Sequence, residues 1–113
     1  MQNGAVIDIR NDTSLRAIMF KMTRIFENGL VDIYKIEGKI TDENLQLWTE
    51  QLETLQQNAN RDILLDFSQV WNMSVNAMGI LVKHLSNGIL VMNPSMDVRN
   101  MLHSAGLSRK VLE

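Results

Sequence analysis

One stretch constrains the fold of this chain more than any other: residues 62–78, which read DILLDFSQVWNMSVNAM. Its apolar run from Ile63 to Phe67 is short and continuous, as in a parallel strand that is covered on both faces. A polar turn, residues 73–77, follows and opens a helix, and function in an α/β sheet usually lies at such a passage. The turn contains no acid-base pair, no cysteine and no glycine-rich phosphate cradle, so we expect no enzymatic activity.

The residues before this stretch predict two strands and a helix. Residues 30–38 alternate apolar and polar side chains, as a half-buried strand does. Asn28-Gly29 predicts a hairpin turn from a partner strand at 22–26, because Asn-Gly adopts positive φ readily. Thr41 is a good N-cap, and apolar residues at spacings of three and four predict a helix to about residue 58. These residues are Leu45, Trp48, Leu52 and Leu55.

The residues after the turn predict helix, strand and helix. The helix that the turn opens is predicted to end at Asn87-Gly88, and residues 89–92 are predicted to form an apolar strand. Ser95 caps the second helix, and Gly106 ends it. The apolar stripes of the two helices are Ala77, Ile80, Leu81, His84 and Leu85, then Val98, Met101, Leu102 and Ala105. This order predicts an α/β domain, a mixed sheet with right-handed crossovers and with helices packed mainly on one face.

Composition narrows the classes of function. At 113 residues and 45% hydrophobic content the chain fits one domain with one core. We expect residues 22–113 to form that domain and residues 1–21 to be an extension that is partly disordered or adds an extra element. The net charge of -2 and the pI near 5.6 argue against nucleic-acid binding.

Cysteine is absent, which excludes disulfides, a thiol nucleophile and zinc sites built on thiolates. His84 and His103 have no neighbouring ligand at metal spacing, so we expect no metal and no cofactor. No apolar run approaches the ~20 residues needed to span a bilayer. We therefore expect a soluble, cytoplasmic protein without direct membrane insertion.

Some conspicuous side chains allow two interpretations. Ser74 either caps the helix, as serine commonly does, or is a phosphosite. Trp71 either covers the sheet edge or is a binding anchor. The methionines near the ends of the central strands either fill the core or form an apolar docking patch with Val75. The acidic residues of the first helix are either a solvated face or a contact strip for a basic partner: Asp42, Glu43, Glu50 and Glu53.

Three passages in register carry a family resemblance. They are Ile36-Glu37-Gly38-Lys39-Ile40, Leu65-Asp66-Phe67-Ser68-Gln69-Val70, and Val91-Met92-Asn93-Pro94-Ser95 with Val98-Arg99 and Ala105-Gly106-Leu107 behind it. From about Met22 onward the chain resembles the STAS domain, the family of bacterial anti-sigma factor antagonists and of the cytoplasmic tails of sulfate transporters. The resemblance implies the same mixed sheet with helices mainly on one face.

In that family the turn after the central strand usually reads Asp-Ser-Ser/Thr-Gly-Leu, and a partner that is both anti-sigma factor and kinase phosphorylates one hydroxyl. The matching residues here are Ser74, Val75, Asn76, Ala77 and Met78. The resemblance therefore implies that these five bind the partner and that Asn76, which cannot accept phosphate, stands at the phosphoacceptor position. We expect a docking surface that stays in one electrostatic state, similar to the unmodified form.

The resemblance implies a non-enzymatic protein-interaction module of bacterial signalling and transcription regulation. It would act as an anti-sigma factor antagonist and bind an anti-sigma factor or kinase-type partner without the usual phosphorylation switch. An alternative is a cytoplasmic accessory subunit of a membrane lipid or anion transport complex. The oligomeric state stays open at this point.

Overall fold

The computed structural model describes residues 20–57, 61–85 and 88–112. Phe20 and Lys21 already belong to the first strand, whereas our expectation for residues 1–19 lies outside the described residues. Within the described ranges, no helix is long and apolar enough to cross a membrane.

Strands and helices follow in the order β1 (Phe20–Glu27), β2 (Val31–Ile40), α1 (Leu45–Gln57), β3 (Asp62–Met73), α2 (Val75–Leu85), β4 (Ile89–Met92), α3 (Met96–Ser104) and β5 (Val111–Leu112). One 3-10 turn, Asp42–Asn44, precedes α1, and another, Ser108–Lys110, precedes β5. The α/β class and the element order up to α3 are confirmed. The sequence did not predict β5, because two residues show no periodicity.

The sheet has the strand order β1-β2-β3-β4-β5. β1 is antiparallel to β2, and β2 to β5 are parallel. Neighbouring parallel strands joined by crossovers of one hand place all their helices on one face. The buried core agrees with this arrangement, because the helices pack there against alternate residues of each strand. The helix residues are Leu52, Leu81 and Leu102, and the strand residues are Ile36, Ile40, Ile63, Leu65, Ile89 and Val91.

β3 continues six residues beyond the end that the sequence predicted. Its register with β2 shifts twice, between Lys35 and Glu37 and again between Gly38 and Lys39. Each shift inserts an extra residue into β3, so burial from Phe67 to Met73 recurs every third residue instead of every second. The lost alternation explains why this part did not look like a strand.

The predicted hairpin turn forms, but the reason we gave for it was wrong. Neither Asn28 nor Gly29 has a positive φ. The Asn28 side-chain oxygen instead accepts hydrogen bonds from the backbone N–H groups of Leu30 and Val31, at 2.8 and 2.9 Å. An asparagine side chain that mimics a backbone turn closes this hairpin.

Both ends of α3 are built as predicted. Ser95 Oγ accepts a hydrogen bond from Val98 N at 3.3 Å. At the other end Gly106 has φ 76°, and Leu107 N donates to Leu102 O at 2.8 Å. This 6→1 hydrogen bond is typical of a helix that ends at a glycine. Ala105 is exposed and is not part of the buried stripe, because it is the C-cap residue and has left the helical path.

Trp48 of α1 ties the helices to the sheet. Its side chain is fully buried and makes edge contacts with Phe20 and Phe67, at ring-centroid distances of 5.5 and 6.3 Å. Its Nε1–H donates a hydrogen bond of 3.1 Å to the carbonyl oxygen of Ala77, in the first turn of α2. The start of α2 is therefore anchored from beneath by α1.

The two tryptophans provide a matched test of this anchor. We expect Trp48→Phe to lower the free energy of unfolding by about 2 kcal/mol, because it leaves a cavity and removes the donor to Ala77. Trp71→Phe, at a side chain that is 69% exposed, should change it by less than about 0.5 kcal/mol. Urea unfolding of both variants measures the difference, and equal losses would contradict the anchoring role.

Candidate functional site

The candidate site lies where β2 and β3 end side by side. The two strands are parallel, and Ile40 stands opposite Met73 at their carboxyl ends. Ser74 N donates a hydrogen bond of 2.9 Å to Ile40 O and holds the two chain exits together. The 3-10 turn that follows β2 therefore lies against the first residues of α2.

Ser74 is the N-cap of α2, as one of the two sequence interpretations predicted. Its Oγ accepts a hydrogen bond from Ala77 N at 3.1 Å, and its carbonyl oxygen accepts one from Met78 N at 2.9 Å. The first bond pairs an N–H group of the first turn that has no partner within the helix, and the second is the first i→i−4 bond of the helix, as expected for an N-cap serine. The predicted turn at 73–77 is thus a single residue between the strand and the helix.

Asp42 connects the two sides of the site. Its Oδ1 accepts a hydrogen bond from Ser74 Oγ at 2.9 Å, and its Oδ2 accepts one from Asn76 Nδ2 at 3.1 Å. Sequence reasoning missed this contact, because it placed Asp42 on a solvated face or a contact strip of the first helix. The sequence did contain a signal for this contact, because Asp42 and Ser74 each follow directly after one of two neighbouring parallel strands.

Asn44 and Thr41 fix the backbone that presents Asp42. The buried Asn44 side chain accepts from Thr41 N at 2.9 Å and donates to Lys39 O at 3.0 Å. Thr41 is the N-cap of this turn as predicted, and its hydroxyl donates a hydrogen bond to the Glu43 carboxylate. This hydrogen bond, together with one from the Glu43 backbone, lowers the pKa of Glu43.

The five residues that the resemblance assigned to partner binding differ in accessibility. Val75 is 76% exposed, Asn76 is exposed and Ser74 is half-buried. Ala77 and Met78 face the core and are buried. A partner would meet Val75 and Asn76 directly, whereas Ala77 and Met78 support the turn from beneath.

Apolar side chains and two grooves surround the turn. Trp71 is exposed beside it, and Lys39 Nζ lies 5.7 Å from the centroid of its ring. A groove of about 310 Å³ separates Trp71 from Asp97 and the first turns of α3. A second groove, of about 440 Å³, runs between α2 and α3 and begins at Val75. The turn therefore lies between exposed apolar side chains and two grooves, with charged residues of both signs at the border.

Comparison with known proteins identifies the family. The model of the STAS domain matches residues 21–112. The chain belongs to the STAS domain family. No curated protein matches it in the sequence comparison.

Solved structures share the fold of this STAS domain at low sequence identity. An anti-sigma factor antagonist from Mycobacterium paratuberculosis aligns with TM-score 0.69 and 15% identity over 82% of this chain and 83% of that one. A protein described as an anti-sigma factor antagonist, from Thermotoga maritima, aligns with TM-score 0.65 and 20% identity over 83% of this chain and 86% of that one. The murine anion transporter Slc26a9 aligns with TM-score 0.62 and 12% identity over 88% of this chain and 21% of that one.

The other conspicuous side chains of the STAS domain lie away from the turn or are buried in the core of the domain. Asp66 lies within β3, and its Oδ1 accepts a hydrogen bond from Ser68 N at 2.9 Å. The buried His84 has Nδ1 at 2.8 Å from Ile80 O, and His103 Nδ1 pairs with the Ser108 hydroxyl at the exposed end of α3. Met73 is buried and fills the core. Within the described ranges, no three His, Cys, Asp or Glu residues are grouped to hold a metal ion.

A double-mutant cycle tests the Asp42 contact. We expect Asp42→Ala and Ser74→Ala each to cost about 1 kcal/mol of unfolding free energy, the first by removing a shared acceptor and the second by removing a helix cap. Because the residues bond to each other, the double variant should cost less than the sum by about 0.5 kcal/mol or more. Urea unfolding supplies all four values.

Glu53→Ala is the control for this cycle, since Glu53 is an exposed acid of α1. Its effect should add to that of Ser74→Ala within about 0.3–0.5 kcal/mol. Simple additivity of Asp42→Ala with Ser74→Ala would mean that the carboxylate does not hold the turn.

Proposed function

We propose that this STAS domain is a non-enzymatic protein-interaction module that docks an anti-sigma factor or kinase-type partner on the turn and on the exposed side of α2. The observation that carries the proposal is the Asp42 carboxylate bonded to both Ser74 and Asn76. At the position where relatives with the usual motif accept phosphate, this chain has an amide that is already hydrogen-bonded to an acid.

This arrangement leaves the turn in a single charge state. A phosphate would add about -1.5 to -2 charges at the start of α2, yet neither Val75 nor Asn76 has a hydroxyl to esterify. The Ser74 hydroxyl is engaged twice, as donor to Asp42 and as acceptor from Ala77 N. A phosphate on Ser74 would lose the cap and place a second anion beside Asp42. Regulation accordingly acts on the partner or at another site.

The Asp42 carboxylate adds a negative charge to a docking surface whose five turn residues, Ser74 to Met78, carry none. Asp42 and Glu43 are exposed at the border of the turn, and Asp42 is bonded to Asn76, which directly follows the exposed Val75. Apolar anchors ringed by charge favour a partner with an apolar contact and a basic group. We infer a partner surface of that kind.

The roles of the relatives support two kinds of partner. Solved structures with this fold include anti-sigma factor antagonists, and these favour a cytoplasmic signalling role. The second candidate is an accessory subunit of a membrane lipid or anion transport complex, which the shared fold of the Slc26a9 anion transporter favours. An ATPase or permease subunit as the bound protein would select this second candidate.

Two exposed apolar side chains provide a matched test of the surface. Val75 is 76% exposed in the proposed surface, and Leu30 is 79% exposed at the hairpin turn. We expect Val75→Glu to reduce capture of the partner at least about tenfold, because it replaces an apolar anchor by a charge beside Asp42. Leu30→Glu adds the same charge elsewhere and should leave capture unchanged.

Affinity purification from the native cells, with quantitative mass spectrometry, measures this difference. The proposal predicts one protein that wild type and Leu30→Glu retain and that Val75→Glu loses. Loss with Leu30→Glu alone, or no difference between the two variants, would contradict the assignment of the surface.

A further inference from the structure

Gly79 is exposed in the interior of α2, where glycine is a poor helix former. Its φ is not positive, and a Cβ built on it meets no heavy atom within 4 Å. Alanine would therefore fit the free protein without strain and would favour the helix. The packing of this domain gives no reason for a glycine here.

The groove between α2 and α3 supplies a reason. Gly79 lines this groove of about 440 Å³ together with Val75, Met78, Asn100, Met101 and Ser104. Without a side chain at Gly79, an incoming group can approach the α2 backbone closely. The groove is shallow, open to solvent and lined mainly by apolar side chains, so a large apolar side chain of a partner could lie in it.

The groove is continuous with the proposed docking surface. Val75 belongs to both, and the next residue, Asn76, is bonded to the Asp42 carboxylate. An apolar group at the Val75 end of the groove would thus be one residue along α2 from the Asn76 side chain that binds the Asp42 carboxylate. The apolar groove and the Asp42 carboxylate are thus complementary to a ligand that has a bulky apolar side chain next to a basic one.

We propose that the groove binds a bulky apolar side chain of a partner segment, with a neighbouring lysine or arginine of that segment at Asp42. The inference rests on the proposed function and specifies its contact: Gly79 determines how closely the apolar side chain can approach the backbone of α2. A larger side chain at position 79 closes the groove to the partner while the fold stays intact.

Three glycine variants of the full chain test this. Gly79→Ala narrows the groove, Gly79→Leu fills it, and Gly29→Ala is the control, because a Cβ at Gly29 also meets nothing within 4 Å. Thermal unfolding should show a higher melting temperature for Gly79→Ala than for wild type. Gly79→Leu should melt no lower than wild type, which would show that a change in binding is not a folding defect.

The binding probe is a phage-displayed library of random peptides selected on the wild-type protein. We expect the enriched peptides to share a bulky apolar residue near a lysine or arginine. Their affinity should fall at least about tenfold for Gly79→Leu, fall less for Gly79→Ala, and stay within about twofold for Gly29→Ala. Fluorescence anisotropy with the synthesised peptides measures these affinities.

Two results would overturn the inference: a selection that yields no peptide with this pair, or peptides that bind Gly79→Leu as they bind wild type. Peptides that lose affinity for Val75→Glu but not for Gly79→Leu would overturn the groove and leave the proposed function standing. Peptides that depend on Gly79, together with a cellular partner that ignores Val75→Glu, would support the groove and overturn the proposed function.

Discussion

The parallel pairing of β2 with β3 is the constraint on which the site depends. Because Ile40 and Met73 are paired at the carboxyl ends of these strands, the chain leaves both strands at one point of the sheet edge. Asp42 then reaches the first turn of α2, although 32 residues separate it from Ser74. A slip of one residue in this register would turn the core side chains to the other face and separate the acid from the turn.

The turn is held by hydrogen bonds on three sides. Trp48 holds the Ala77 carbonyl from the core, Ser74 caps the helix from within, and Asp42 binds Ser74 and Asn76 from the solvent side. A preformed surface loses little conformational entropy on binding, so its contacts translate into affinity more fully. The fixed turn suits a docking site that is present in one form and is read by a partner.

Local signals in the sequence predicted much of this structure. The helix caps at Ser74 and Ser95 and the glycine stop at Gly106 depend on residues a few positions apart, and the structure confirms them. The bulges of β3 were not predictable, because an inserted residue destroys the alternation by which a strand is recognised. The Asp42 contact joins two distant segments, so only the strand register could reveal it.

Introducing a charge at position 76 tests the account most directly. We expect Asn76→Ser to keep the affinity for the captured partner within about twofold, since serine adds no charge and can still donate to Asp42. Asn76→Asp places a second carboxylate against Asp42 and should weaken binding at least about tenfold. Isothermal titration calorimetry gives both values. Equal affinities for the two variants would contradict a docking surface that depends on one fixed charge state.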